Sequence, residues 1–183
     1  MAFIDSYALT VDEVLCAEVV SKSRRTNFAG TDAVRPTGIR HPKRSNLPQG
    51  ETVETIALQP AVDYAGCVGE IAVARLMNLA WTGCGKTSGN TRDVGNYIEV
   101  RSVRNIKLGL LVRPKDPEAP FVLVFVRGNT GKILGWAWKS EVVAKGRMLD
   151  GDTERPCWIL KDTLRRAEGL TVVAHEAQGH QSS

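Results

Sequence analysis

Long apolar runs, paired cysteines and clustered histidines are all missing from this chain, and each absence removes a class of protein. No stretch approaches the roughly 20 consecutive apolar residues that span a bilayer. The opening, MAFIDSYALT, has neither the basic segment nor the apolar segment of a secretory signal. A cytoplasmic protein with no membrane partner is therefore expected. The four cysteines, Cys16, Cys67, Cys84 and Cys157, are scattered without a C-x-x-C pair, so their spacing supports neither a disulfide framework nor a zinc knuckle. Reduced thiols packed as small hydrophobes are expected instead. Of the histidines, His41 falls in a loop, while His175 and His180 fall in a polar tail. No internal repeat is visible.

What remains is enough for one compact domain. A chain of 183 residues with 43% hydrophobic and 24% charged content can bury a core of its own and is short for two, so residues 1–183 read as a single domain. The net charge of +4 is modest, but its distribution is uneven. Between Lys22 and Arg44 stand Lys22, Arg24, Arg25, Arg35, Arg40, Lys43 and Arg44 against Asp32 alone, which is +6, leaving the rest of the chain slightly acidic. Gly30, Pro36, Gly38, Pro42 and Pro48 in the same stretch argue for an irregular arm over about 23–59. Such an arm is either a solvated loop or a strip laid along a phosphate backbone.

Around that arm the hydrophobic pattern outlines the elements. Thr10 with Glu13 three residues on is a capping-box signature, and Val11, Val14, Leu15 and Val19 follow on one side, so a first helix is expected over 10–22. Pro60 opens a second helix, in which Ala61, Ala65, Val68, Ala72, Leu76 and Leu79 recur at helical spacing while Gly66 and Gly69 leave room for close packing on a sheet. The runs YIEVRSV, GLLVRP, FVLVFVRG and KILGWAW read as strands separated by turn residues, SEVVAKG as a helical turn and CWIL as an edge strand. Two helices followed by strands describe an α+β domain, its core over about 60–170 and its central sheet largely antiparallel and flanked by helices, with 171–183 a polar tail.

The stretch AWTGCGKT, Ala80 to Thr87, imitates a phosphate-binding loop, with Lys86 and Thr87 in the lysine and hydroxyl places. A working loop is delivered by a strand and leads into a helix whose N-terminus meets the phosphates. Here a helix precedes the stretch and SGNTRDVG follows it, so no nucleotide cofactor is expected.

The stretch DVGNYIEVRSVR, residues 93–104, carries the chemistry. Side chains of a strand alternate, so Ile98 and Val100 share one face, suited to packing under a helix, and Glu99 and Arg101 share the other. A two-residue loop at Gly95 and Asn96 would leave Asp93 on the wrong face, whereas a three-residue loop, 95–97, pairs Val94 with Ile98 and sets Asp93 across from Glu99, with Cβ atoms about 5 Å apart. Two carboxylates that close repel unless a cation lies between them. Mg²⁺ or Mn²⁺ suits such a pair, because Mg²⁺ takes oxygen ligands and keeps water positions open for a phosphate substrate. Glu70, the one acid in GCVGEIAVARLM, is a third carboxylate amid residues that read as buried. It needs a partner there, the structural option being a salt bridge to Arg75 or a place on the helix surface.

The order of these residues, a helix with Gly69-Glu70, then Asp93, then Glu99-Val100-Arg101 in an apolar strand, then further strands, resembles the PD-(D/E)XK nuclease superfamily over about residues 61–138. The resemblance implies a restriction-endonuclease-like fold with a mixed central sheet flanked by helices. It implies Mg²⁺-dependent or Mn²⁺-dependent hydrolysis of DNA phosphodiester bonds, with Glu70, Asp93 and Glu99 as metal ligands and Arg101 in the place of the motif lysine, and a homodimer as in many such nucleases. Arg101 is a departure. Arginine binds phosphate well but stays protonated at any physiological pH and cannot be the general base, which leaves open a metal-activated hydroxide or a domain that binds nucleic acid or protein without cutting. In this reading Arg24, Arg25, Arg35, Arg40, Lys43 and Arg44 hold phosphates. Trp81, Trp136, Trp138 and Trp158 either stack on bases or, more simply, pack in and around the sheet.

Overall fold

The computed structural model describes residues 6–29, 52–83, 92–95, 97–148 and 157–171, and of residues 25–29 and 52–62 the backbone alone. The elements run β1 (Ser6–Ala8), α1 (Val11–Ala29), α2 (Thr52–Leu76), β2 (Glu99–Val103), β3 (Leu110–Val112), β4 (Pro120–Arg127), β5 (Thr130–Trp138), α3 (Lys139–Lys145), β6 (Arg147–Met148) and β7 (Trp158–Leu160). β1, β5, β4 and β2 lie side by side in a mixed sheet, with β2 parallel to β4 and the other pairs antiparallel. A second, antiparallel sheet has the order β3-β7-β6. The chain is thus α+β with its main sheet between helices, and among the described residues no helix is long and apolar enough to cross a membrane.

Alternation along β4 builds two cores at once. Val122, Val124 and Val126 join Val100, Val68, Val73 and Trp136 on the side covered by α2. Phe121 and Leu123 face the other way and meet Leu110, Val112, Val142 and Leu160 from β3, α3 and β7. Strand β4 is therefore apolar on both faces, as a central strand must be, which is why FVLVFVRG reads as a continuous run. A bulge interrupts the β4–β5 pairing at Leu123 and Val124. Gly135, at φ 145, stands opposite, where a Cβ would come within 2.8 Å of Arg165 O.

Helix α2 is enclosed on two sides. One face meets the sheet, and the other sets Cys67 and Ile71 against Ala17 of α1. Gly69 permits the sheet contact, since a Cβ there would fall 2.0 Å from Ser102 Oγ, whereas one at Gly66 would meet nothing within 4 Å. The room foreseen at both glycines is used only at Gly69.

Helix α1 departs from its pattern. Thr10 caps it as the sequence indicates, with Thr10 N donating to Glu13 Oε2 at 2.7 Å and Glu13 N donating to Thr10 Oγ1. Yet of the expected apolar side Val11, Leu15 and Val19 are 76%, 55% and 66% exposed and Val14 is half-buried, while Ala17 and Ser21 are buried. Ion pairs accompany this orientation. Arg75 of α2 grips Glu13 through Nε at 2.8 Å and Nη2 at 2.6 Å, and Arg24, about three turns on along α1, grips Glu70. Turning the apolar stripe inward would take both part-buried guanidinium groups from their carboxylates and leave the buried Glu70 unpaired.

Other boundaries move as well. Helix α1 continues to Ala29 and α2 begins at Thr52, with Pro60 inside it, so both ends of the expected irregular arm are helical and residues 30–51 lie outside the described residues. Proline removes one helix hydrogen bond and favours a first turn, but that local preference does not exclude helix before it. All four expected strands form, SEVVAKG becomes α3 and CWIL becomes β7, which is the middle strand of the second sheet rather than an edge, while β1 and β6 lack a visible signal and the GLLVRP strand joins the second sheet. Among the thiols, Cys67 is buried, Cys16 is exposed rather than packed, and Cys157 is half-buried, with Cys84 outside the described residues. Burial pushes the Cys67 thiol up to about 11.

Two outcomes test this packing. Gly69→Val is expected to lower stability by about 2 kcal/mol through overpacking, and Gly66→Ala to raise it by up to about 1 kcal/mol through helix propensity, both read by denaturant unfolding. The second concerns Glu141, which accepts from Trp138 N at the start of α3 and from Arg165 Nη2 at 2.7 Å. Burial works to raise its carboxyl, but the Trp138 N–H, Arg165 and Lys145 together hold it below the usual carboxylate range. A depressed carboxyl stabilises the fold above its unfolded pKa and loses that contribution as pH falls through the folded value. Glu141→Gln is therefore expected to cost about 1 kcal/mol or less at neutral pH, given its partial exposure, with the melting difference closing below about pH 4.

Candidate functional site

Strand β2 stands at one end of the four-stranded sheet, so half of its backbone groups face away from β4 and need partners from elsewhere. The segment before it supplies them. Val94 and Ile98 pair antiparallel, with N···O distances of 3.2 and 3.1 Å, which is the register of the three-residue loop. Gly95 takes φ 60 there, a conformation that favours glycine. Asp93 then lies alongside the next outward donor, and its Oδ2 accepts from Val100 N at 2.8 Å.

The two faces of β2 divide as alternation requires. Val100 and Ser102 meet α2 at Gly69. Glu99 and Arg101 turn to the other face, where the Arg101 guanidinium stacks on the Phe121 ring with its carbon 4.8 Å from the centroid. Glu99 is 1% exposed, which demands charge compensation. Arg101 Nη1 lies 3.3 Å from Glu99 Oε2, and Arg92 Nη1 lies 3.8 Å from Glu99 Oε1. The second Nη of Arg101 donates to Asp116 Oδ2 at 2.9 Å. Asp116, on the loop between β3 and β4, is buried and also accepts from Arg113 N at 2.9 Å. No pattern around RPKDPEAP singles it out, because its partners lie 15 residues away along the chain or are backbone; the only local hint is an acid among turn residues.

Glu70 has donors of its own, near enough to Asp93 to feel its charge. Arg24 Nη1 and Nη2 donate to its two oxygens at 2.9 and 2.8 Å, and Trp81 Nε1 donates to Oε2 at 3.0 Å. Burial pushes the Glu70 carboxyl above the usual carboxylate range and the charge of Asp93 adds to this, while Arg24 and Trp81 pull the other way. Burial opposes the charge on Arg24 too, but the paired bonds to Glu70 prevail and hold its pKa above the ordinary arginine value. Arg75, one structural option for Glu70, is taken by Glu13, and Glu70 is buried rather than on the helix surface.

The structure therefore brings Asp93 to the strand that carries Glu99 and Arg101, and gives Glu70 to Arg24. Among the described residues no three acidic, histidine or cysteine side chains gather closely enough to hold a metal ion. The donor chemistry of Asp93 and Glu99 suits a hard cation, Asp93 having one carboxylate oxygen outside its bond to Val100 N. Both oxygens of Glu70 accept hydrogen bonds, and both oxygens of Glu99 lie beside arginines. Of the basic residues foreseen as phosphate contacts, Arg24 is engaged with Glu70, the side chain of Arg25 is not described, and Arg35, Arg40, Lys43 and Arg44 lie outside the described residues. So do residues 84–91, which hold Lys86 and Thr87 of the imitation phosphate loop. Trp136 is a core residue whose Nε1 donates to Arg166 O, and Trp81, Trp138 and Trp158 pack against the apolar clusters. No family model, curated protein or solved structure matches this chain.

The Arg24–Glu70 pair gives a direct test. Arg24→Met strands a buried carboxylate and is expected to cost about 3 kcal/mol, read by urea unfolding. Adding Glu70→Gln removes the unpaired charge and is expected to recover part of that loss.

Proposed function

We propose that this chain is a nuclease that hydrolyses DNA phosphodiester bonds on a restriction-endonuclease-like fold. The observation that carries this reading is the register of the hairpin before β2. It sets Asp93 beside the strand bearing Glu99 and Arg101, with Asp93 Oδ2 on Val100 N at 2.8 Å and Arg101 beside Glu99 at 3.3 Å, two acids and a fixed cation at one end of a mixed sheet.

Asp93 and Glu99 would hold a divalent ion such as Mg²⁺ or Mn²⁺, whose contribution when bound is to lower the pKa of a water ligand. Arg101 supplies a permanent positive charge for the phosphate oxygens, which gain charge as the phosphorus is attacked. It takes no proton. Phe121 beneath the guanidinium and Asp116 at its edge hold that charge in place before substrate arrives, which is worth most in a site shielded from water. In this reading Glu70 serves the α1–α2 contact through Arg24, and Arg25, Arg35, Arg40, Lys43 and Arg44 track the DNA backbone, making binding strongly salt-dependent. A homodimer would set two such sites against the two strands.

One observation favours a second reading. Both Nη groups of Arg101 already have carboxylate partners, as suits a module on the same fold that binds nucleic acid or protein and does not cut. Cleavage of supercoiled and linear DNA with Mg²⁺ or Mn²⁺ separates the two. The nuclease reading expects cutting by the wild type, its loss in Asp93→Asn and Glu99→Gln, and a drop of about 100-fold or more in Arg101→Met. Salt-dependent DNA binding with no cutting by the wild type would select the binding module.

A further inference from the structure

We propose that Asp116 is a positioning residue that keeps Arg101 from closing on Glu99, so that Arg101 and Asp116 act as a matched pair. This rests on the nuclease reading for its effect on cutting, but not for its geometry.

Asp116 has the properties of a fixed acceptor. Its loop is tied from three directions that do not involve Arg101. Asp116 N donates to Arg113 O at 3.1 Å, Arg113 N donates back to Asp116 Oδ2 at 2.9 Å, and Lys139 Nζ donates to the carbonyls of Pro114 and Asp116. The carboxylate is buried, and these bonds fix its place independently of the guanidinium. Arg101 then lies with one face on Phe121 and its two Nη groups divided between two acids. The division is unequal. The bond to Asp116 is 2.9 Å, and the contact with Glu99 is 3.3 Å.

A guanidinium beside a single carboxylate tends to bind it through both edges, as Arg24 binds Glu70 in this same molecule. Arg101 does not bind Glu99 that way because Asp116 holds its other edge. With the charge removed from Asp116, Arg101 is drawn toward Glu99 with both Nη groups, in competition with Arg92 at Oε1, approaching the Arg24–Glu70 arrangement and taking up oxygens that the nuclease reading assigns to a metal ion.

Asp116→Asn is the informative substitution, because Oδ2 accepts from both Arg113 N and Arg101 Nη2, and asparagine keeps an oxygen in that place while removing the charge that holds the guanidinium. Three measurements are made on the full chain: NMR of the Arg101 guanidinium, Mn²⁺ binding by EPR, and DNA cleavage. In Asp116→Asn the Arg101 signals are expected to shift, Mn²⁺ affinity and cleavage to fall by about 10-fold or more, and the melting temperature to change little. In an Arg101→Met background, Asp116→Asn is expected to have no further effect on either functional readout. The proposal is overturned if the Arg101 signals stay unchanged in Asp116→Asn, or if the two substitutions multiply in the double variant. A wild type that neither binds Mn²⁺ nor cuts DNA would remove the nuclease reading and the functional half of this inference with it, while the guanidinium signals would still decide whether Asp116 sets the geometry of Arg101.

Discussion

A carboxylate taken out of water must bring a cation or several hydrogen-bond donors with it, and this constraint organises the molecule. Among the described residues the buried acids are Glu70, Glu99 and Asp116, and arginines answer each of them. Arg24 answers Glu70 and thereby fastens α1 to α2. Arg101 answers both Glu99 and Asp116 and thereby fastens β2 to the loop before β4. A fourth pair, Glu13 with Arg75, completes the hold on α1. These contacts add little net stability against an apolar alternative, but they are specific about orientation, because a misplaced element would leave a buried charge unpaired.

That specificity is clearest in α1. A helix with an apolar stripe at Val11, Leu15 and Val19 ordinarily turns the stripe inward. Here the stripe faces out and the opposite side, small and ionic, packs on α2. Ala17 lets the two helices come close, and Glu13 and Arg24, eleven residues and about three turns apart, reach partners near opposite ends of the contact. Close approach recurs on the far side of α2, where Gly69 lies against Ser102. Helix α2 is thus clamped between a neighbour selected by charge and a sheet selected by shape.

The same economy shapes the candidate site. Asp93 fills an unmet backbone donor on β2, and Phe121 belongs at once to the apolar core and to the underside of Arg101. Glu70 occupies the place in the chain where a third metal ligand is foreseen, and its partners in the fold are Arg24 and Trp81, which donate to its oxygens. Position in a motif states which residue types follow one another; which groups they meet depends on where α1 lies, and α1 is outside the motif.

Local rules were sufficient wherever the determining contact is near in sequence. Capping at Thr10, the apolar run of β4, the alternation of β2 and the loop register that pairs Val94 with Ile98 depend on neighbours a few residues away, and the structure agrees with each. Contacts distant in the chain had no such signature. Arg24 and Glu70 are 46 residues apart, Glu13 and Arg75 are 62 apart, and Arg101 and Asp116 lie on different elements. The inverted face of α1, the parallel pairing of β2 with β4, the separate β3-β7-β6 sheet and the partners of every buried acid were settled only in three dimensions, because the energy of a charged group depends on what surrounds it after folding and not on the residues beside it in the chain.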